Sequence, residues 1–217
     1  MGLEATRLGR VLKNIRLTRL AGNKTPVRRN GGSSIPIFFQ HPSWEVYRLG
    51  IMGTTYQRIL GLRAIRRYSE RSLEAADLRQ VLEAARWTGS AKNRQNWSIV
   101  VVDDPDQLAR LKECAGFGGP LSAAPVALAL VQEGAAYEFD IGRMAQNIML
   151  AADDLGLVSC PVTLHKNEEA RQVLGIPEGR HCRYAIALGY PGPASQPARA
   201  GGRKPLEEIV HRNRYGG

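Results

Sequence analysis

The stretch TGSAKNRQNW, residues 88–97, lies between a predicted helix and a predicted strand. It combines small residues with amides and with the two cations Lys92 and Arg94. This composition does not suit a hydrophobic core, because burying polar or charged groups without partners costs free energy. It is typical of a loop that binds a ligand.

On both sides of this loop, helical and extended patterns alternate without regular βαβ spacing. We therefore predict an α+β domain with one mixed central sheet flanked by helices. The longest helix is predicted over residues 137–155, ended by Gly156, and its broad apolar surface indicates burial in the domain or in a subunit interface. Strands are predicted at 97–102, 126–131 and 183–189, with an extended segment at 158–164 and a loop at 116–120. Shorter helices are predicted at 54–62, 73–87, 105–114, 167–174 and 203–211. Ser72, Asp104 and Asn167 are the expected N-caps of the second, third and fourth of these.

The net charge of +10 is unevenly distributed along the 217 residues. Residues 1–51 contain nine Lys or Arg and two Glu, a net charge of +7, whereas residues 52–217 carry +3. We expect residues 1–51 to form a basic, poorly ordered extension and residues 52–217 to form the folded domain. Residues 4–20 combine helical spacing with basic residues, a pattern that would also suit contact with a membrane or another anionic surface. We do not expect nucleic-acid binding, because so little of the charge lies in the domain.

Catalytic templates that depend on a metal or an activated nucleophile find no support. The three cysteines lack C-x-x-C spacing, the four histidines are scattered, and no serine lies in a G-x-S-x-G motif. Cys160 is interpreted as a buried structural thiol, and we expect a cytoplasmic protein with reduced cysteines. If the chain is an enzyme, a cofactor should carry the chemistry.

Three separate segments offer polar groups that could form one cationic pocket. A phosphate suits guanidinium groups, and amides match the donors and acceptors of a heterocycle. Each segment taken alone is better explained as solvated surface charge. The residues are Arg63, Arg66 and Arg67 before the second helix, Ser90, Asn93 and Gln95 in the loop, and Arg203 and Lys204 near the C-terminus.

Six motifs in order along residues 54–217 resemble the nitroreductase family of FMN-dependent oxidoreductases. The resemblance implies an α+β fold, an intertwined homodimer, FMN in the dimer interface and NAD(P)H as co-substrate. The expected acceptor is a nitroaromatic, a quinone or a similar small molecule. The motifs are GLRAIRRY (61–68), EAARWTGSAKNRQ (83–95), FDIGRMAQN (139–147), LGLVSCP (155–161), ALGYP (187–191) and RKPLEEIV (203–210).

By the same resemblance, the cofactor-binding residues are Arg63, Arg66, Ser90, Asn93, Gln95, Pro161, Val162, Thr163, Arg203 and Lys204. Arg66 is the expected electrostatic stabiliser of reduced flavin. Leu62 and Ala64 depart from the family's first motif, which would remove a hydroxyl and weaken FMN binding. Two alternatives stay open: a non-catalytic FMN-binding or partner-binding protein tethered by its basic N-terminus, and a specialised flavin dehydrogenase on the same fold.

Overall fold

The computed structural model describes residues 55–134, 137–197 and 202–217; the predicted basic extension over residues 1–51 lies outside them. The described residues form an α+β fold with a four-stranded sheet in the order β1-β2-β4-β3. The strands are β1 (Trp97–Val102), β2 (Val126–Glu133), β3 (Val158–Thr163) and β4 (Arg180–Gly189). The helices are α1 (Thr55–Gly61), α2 (Ala75–Arg86), α3 (Pro105–Lys112), α4 (Gly119–Ala123), α5 (Glu138–Asp154) and α6 (Asn167–Val173).

All three strand pairings in this sheet are antiparallel, which corrects the expected mixed sheet. Strands β2 and β3 do run in the same direction, as the intervening helix α5 requires for a crossover. They are not neighbours, however, because β4 lies between them and pairs with both. Within residues 55–134, 137–197 and 202–217, parallel pairing is limited to a single bridge between Ala64 and Ser159.

The sheet separates two hydrophobic clusters, and β2 contributes alternate side chains to each. Its small residues Ala127 and Ala129 face the cluster that includes Leu108 and Leu111 of α3. Its larger residues, Leu128 among them, face the cluster that includes Met144 of α5. Both faces of the central strand are therefore covered, which explains why its first six residues are fully buried.

The long helix was predicted correctly. Helix α5 buries the face formed by Ile141, Met144, Ile148 and Ala152, and Gly156 follows it with a φ of +72°. The left-handed conformation at this position favours glycine, because a side chain would be strained there.

Helix beginnings were predicted less accurately. Asp104 caps α3 as expected, accepting a hydrogen bond from Gln107 N at 2.8 Å. Ser72 does not cap α2, because that helix begins at Ala75 with Glu74 in the N-cap position. Asn167 is likewise inside α6 rather than at its cap, and its side chain contacts β4 instead.

Two further segments differ from the sequence predictions. The predicted loop at 116–120 leads into the short helix α4, which has Pro120 in its first turn. The predicted helix over 203–211 is reduced to a 3₁₀ turn, Leu206–Glu208, in a tail whose residues are almost all exposed. In the described ranges, no helix has the length and apolar character needed to cross a membrane.

Candidate functional site

The first arginine-rich segment is held against the beginning of β3. Ile65 N donates to Ser159 O at 2.8 Å, and Ala64 forms the parallel bridge to the same residue. The Ile65 side chain is almost fully buried. These contacts bring Arg66 beside Cys160 of β3, so the arginine-rich segment lies against the strand that contains Pro161, Val162 and Thr163.

Arg66 is a partly buried cation with an unused donor. Its guanidinium lies 5.5 Å from the ring centroid of Phe117, within cation–π range, and interacts with the Cys160 thiol. Its Nε atom is buried and has no hydrogen-bond partner within the described part of the chain. Because buried N–H groups are nearly always paired, this orphaned donor fits a ligand that offers an acceptor at that point.

The thiol beside Arg66 is not set up as a nucleophile. Burial raises the pKa of Cys160, and this effect outweighs the opposing influence of the Arg66 charge. Cys160 is therefore a protonated, buried thiol at neutral pH, in agreement with the structural role expected for it.

Arg63 makes local hydrogen bonds at the end of α1. Its Nη1 donates to the carbonyl oxygens of Leu60 and Leu62, each at 2.8 Å. These carbonyls lie at the C-terminal end of α1, where a cation is favoured by the helix dipole. The Nη1 atom of Arg63 thus stabilises the end of a helix.

The segment Pro161, Val162 and Thr163 offers different groups at successive positions. Pro161 is exposed, Val162 is buried in the core, and Thr163 is half-buried. Successive side chains of a strand point to opposite faces. The side chains of Pro161 and Thr163 are therefore accessible to a ligand, whereas Val162 could offer only its backbone.

The loop over residues 88–97 folds on itself. Ser90 Oγ accepts a hydrogen bond from Gln95 N at 2.9 Å, and Gln95 Nε2 donates to Asn93 O at 3.3 Å. Lys92, Asn93 and Gln95 all have φ values between +50° and +54°. The structure thus brings the three predicted loop residues together, in a backbone conformation that non-glycine residues rarely adopt.

Helix α5 anchors this loop through two residues to which the sequence analysis gave no role. Arg143 Nη1 donates to Gly89 O at 2.9 Å, and Asn147 Nδ2 donates to Thr88 Oγ1 at 2.9 Å. A Cβ atom on Gly89 would lie 2.9 Å from Arg143 Nη2, so glycine allows this close approach. In the sequence, Arg143 and Asn147 are recognisable as two polar residues at i, i+4 spacing on a largely apolar helix.

Comparison with known proteins identifies the family. The family described as "Putative TM nitroreductase" matches residues 54–215. The chain belongs to the nitroreductase family. One relative, a "Putative NADH dehydrogenase/NAD(P)H nitroreductase" of Archaeoglobus fulgidus, is 34% identical over 140 residues, which cover 59% of this chain and 80% of that protein.

Solved structures agree with this nitroreductase assignment and with the α+β fold. Nitroreductase A from Vibrio parahaemolyticus matches with a TM-score of 0.69 and 26% identity, covering 76% of this chain and 77% of that one. An FMN-dependent nitroreductase from Clostridium difficile matches with a TM-score of 0.63 and 25% identity, covering 72% and 98%. The family recognised from the six motifs is confirmed, and the chain is an oxidoreductase.

In this nitroreductase the loop over residues 88–97 and helix α1, which precedes the arginine-rich segment, contact different parts of α5. The loop is held at Arg143 and Asn147, whereas Arg58 of α1 pairs with Asp153 at 3.2 Å and with Asp154 at 2.6 Å. With a rise of 1.5 Å per residue, these anchor points are about 9–17 Å apart along the helix axis. Arg203 and Lys204 are exposed in the C-terminal tail.

Proposed function

We propose that this chain binds FMN and passes reducing equivalents from NAD(P)H to a small acceptor such as a nitroaromatic or a quinone. The observation that carries the proposal is the buried Arg66 Nε atom, which has no partner among the described residues, in a member of the nitroreductase family. The C. difficile neighbour is named as FMN-dependent, and the A. fulgidus relative is named for NAD(P)H.

FMN would supply the hydride chemistry when bound, and the chain would bind it, orient it and provide positive charge. Arg66 is suited to the flavin ring because its cation is partly shielded by Phe117 and retains a free donor. A charge held in a partly desolvated place stabilises a developing negative charge better than one in water. Pro161 and Thr163 would lie beside the flavin ring. The ribityl chain and the ring edge would be held by Ser90, Asn93 and Gln95. The phosphate would be contacted by Arg203 and Lys204.

The same proposal includes a homodimer that completes the site. Large apolar side chains are exposed on α1, at the end of α2 and at the beginning of α5, including Ile59 (51%), Trp87 (74%) and Phe139 (75%). Where such side chains form one contiguous patch, they mark a surface for a partner. We propose a second copy of this chain as the partner. Ser90, Asn93 and Gln95 in the loop of one chain could then complete the flavin site that contains Arg66 of the other chain.

The first experiment asks whether the full chain carries a reducible flavin. The purified protein should be yellow, or become yellow on reconstitution with FMN, and NADH or NADPH should bleach it under anaerobic conditions. Failure to bind FMN would refute the proposal. Binding without reduction by either nucleotide would favour the non-catalytic alternative.

The second experiment tests Arg66 itself. Arg66→Ala should slow flavin reduction about 10- to 100-fold, the equivalent of one charge-assisted hydrogen bond, whereas Arg66→Lys should restore part of the rate by keeping the charge. Arg71→Ala is the matched control, since Arg71 pairs with Glu74 and stacks on Tyr190. Equal rates for Arg66→Ala and the control would remove the role given to Arg66.

The third experiment tests the dimer. Phe139→Lys places a charge on the exposed apolar surface and should lower the mass measured by light scattering from two chains to one. We expect FMN affinity to fall in the same variant, because each site would lose the partner's loop. A monomeric wild-type protein that binds FMN tightly would contradict the shared site.

A further inference from the structure

A cleft of about 310 Å³ lies where β2 and β3 end and where β4 and α5 begin. None of the residues predicted to bind FMN lines it, although Leu164 directly follows Thr163 in the chain. It contains two of the four histidines. The lining residues are Gln132, Glu138, Leu164, His165, Asn167, His181 and Arg183.

The orientation and tautomer of His181 are determined by Asn167. The Oδ1 atom of Asn167 accepts from Cys182 N at 3.0 Å, so its Nδ2 is the atom that faces His181 Nδ1, at 3.3 Å. An amide nitrogen can only donate, which makes Nδ1 the acceptor. The neutral ring must then carry its proton on Nε2, leaving an Nε2–H donor for the cleft.

His165 is held in place by the backbone on both sides of it. Leu164 forms a bridge with Ala115, and Lys166 N donates to Cys114 O at 3.1 Å. The imidazole ring lies against Gly116, where an added Cβ would be 3.0 Å from His165 Cδ2. The ring is therefore positioned by the fold, in a place that depends on the absence of a side chain at residue 116.

The carboxylate in the cleft is already engaged. Glu138 Oε1 accepts from the Tyr184 hydroxyl at 3.1 Å, and Arg183 Nη1 lies 3.9 Å from the same oxygen. A guanidinium has five N–H donors, so this one long contact leaves most of Arg183 available. Glu138 is also the first residue of α5, whose N-terminus has no side-chain cap and therefore favours negative charge.

We propose that this cleft binds the carboxylate of a small, single-ring acid, with His181 Nε2–H and Arg183 as its donors. Hydrogen-bond donors predominate in the cleft, because the one carboxylate among its lining residues, Glu138, is already contacted by Tyr184 and Arg183. The volume is at the lower end of the range of ligand pockets, roughly 300–1,000 Å³, which suits one ring. Planar carboxylates match the fork of a guanidinium, and an imidazole at the side gives the ring a surface on which to pack.

The test compares two probes of the same shape that differ in charge, benzoate and benzamide. Each is titrated into the full chain while the imidazole C–H signals of the histidines are followed by NMR. Benzoate should shift the His165 and His181 signals with saturation in the millimolar range or below, and benzamide should bind at least about tenfold more weakly. The readout does not involve flavin, so it can fail or succeed independently of the proposed function.

Variants then locate the binding. His181→Phe keeps a ring but removes the donor, and Arg183→Gln removes the charge; each should weaken benzoate binding at least about tenfold. His211→Phe is the control, because His211 contacts Tyr215 in the C-terminal tail. Equal affinity for the two probes, shifts confined to other histidines, or unchanged binding in both cleft variants would overturn the proposal.

Discussion

Ser195→Ala tests how the arginine-rich segment is held in place. Ser195 is 4% exposed, and its Oγ donates to Arg67 O at 2.6 Å and accepts from Gly192 N at 2.9 Å. Alanine preserves the packing but leaves this carbonyl and this N–H without their partner. Each orphaned group costs about 1–3 kcal/mol when buried, and Gly192 is only half-buried, so we expect a loss of about 2 kcal/mol in unfolding free energy.

The measurement is urea unfolding followed by tryptophan fluorescence, with Ser72→Ala as the matched control. Ser72 is exposed and lies before the first residue of α2, so its substitution should change the unfolding free energy by less than about 0.5 kcal/mol. A Ser195→Ala cost as small as that of the control would refute the reasoning. A Ser72→Ala loss of about 1 kcal/mol would instead show that Ser72 caps the helix after all.

Three further outcomes are expected. In thermal melts, Gly118→Ala should destabilise the fold strongly, because its Cβ would lie 2.3 Å from Lys112 O. Gly119→Ala is the control and should be neutral, because its Cβ would meet nothing within 4 Å. Hydrogen bonds from Arg86 and Trp87 lower the pKa of Glu83 from 4.5 to about 2. The Tm advantage of wild type over Glu83→Gln should therefore be complete above pH 4.5 and lost as the pH falls to 2. Deleting residues 1–51 should leave FMN content unchanged, and a colourless product would contradict the extension hypothesis.

Periodicity predicted the interior elements well and their beginnings poorly. The apolar spacing in α5 and the apolar run of β2 depend on burial, which dominates the energetics of long elements. β1 was also predicted, although Val102 is its one buried residue. A cap depends on one side chain reaching one backbone N–H. Asp104 achieves this, whereas Ser72 and Asn167 have the right chemistry at the wrong positions. The antiparallel order was also hidden, since the insertion of β4 between β2 and β3 is a long-range pairing.

For the candidate site, the sequence indicated which segments matter but not how they are supported. The resemblance predicts one site for Arg66 and Pro161, and the bridge from Ala64 to Ser159 holds the two segments that carry them side by side. Arg63 is predicted to bind the cofactor, and the sequence did not indicate that its Nη1 also holds the end of α1. Side-chain hydrogen bonds to the backbone are local choices among several nearby carbonyls, and residue type alone does not decide among them.

The loop over residues 88–97 combines a strained backbone with hydrogen bonds of its own. Three non-glycine residues at positive φ cost of order 1–3 kcal/mol each, and an unconstrained surface loop would relax. The anchors from Arg143 and Asn147 hold only its first two residues. Within the loop, the bond from Gln95 N to Ser90 Oγ closes the turn but is exposed to water and so contributes about 1 kcal/mol. Backbone hydrogen bonds from Asn93 N to Ser90 O at 3.0 Å, from Trp97 N to Gln95 O at 2.8 Å and from Glu133 N to Asn96 O at 3.0 Å also hold the loop. The chain itself therefore supports this conformation, and in the proposed dimer the loop would meet FMN already folded, beside Arg66 of the second chain.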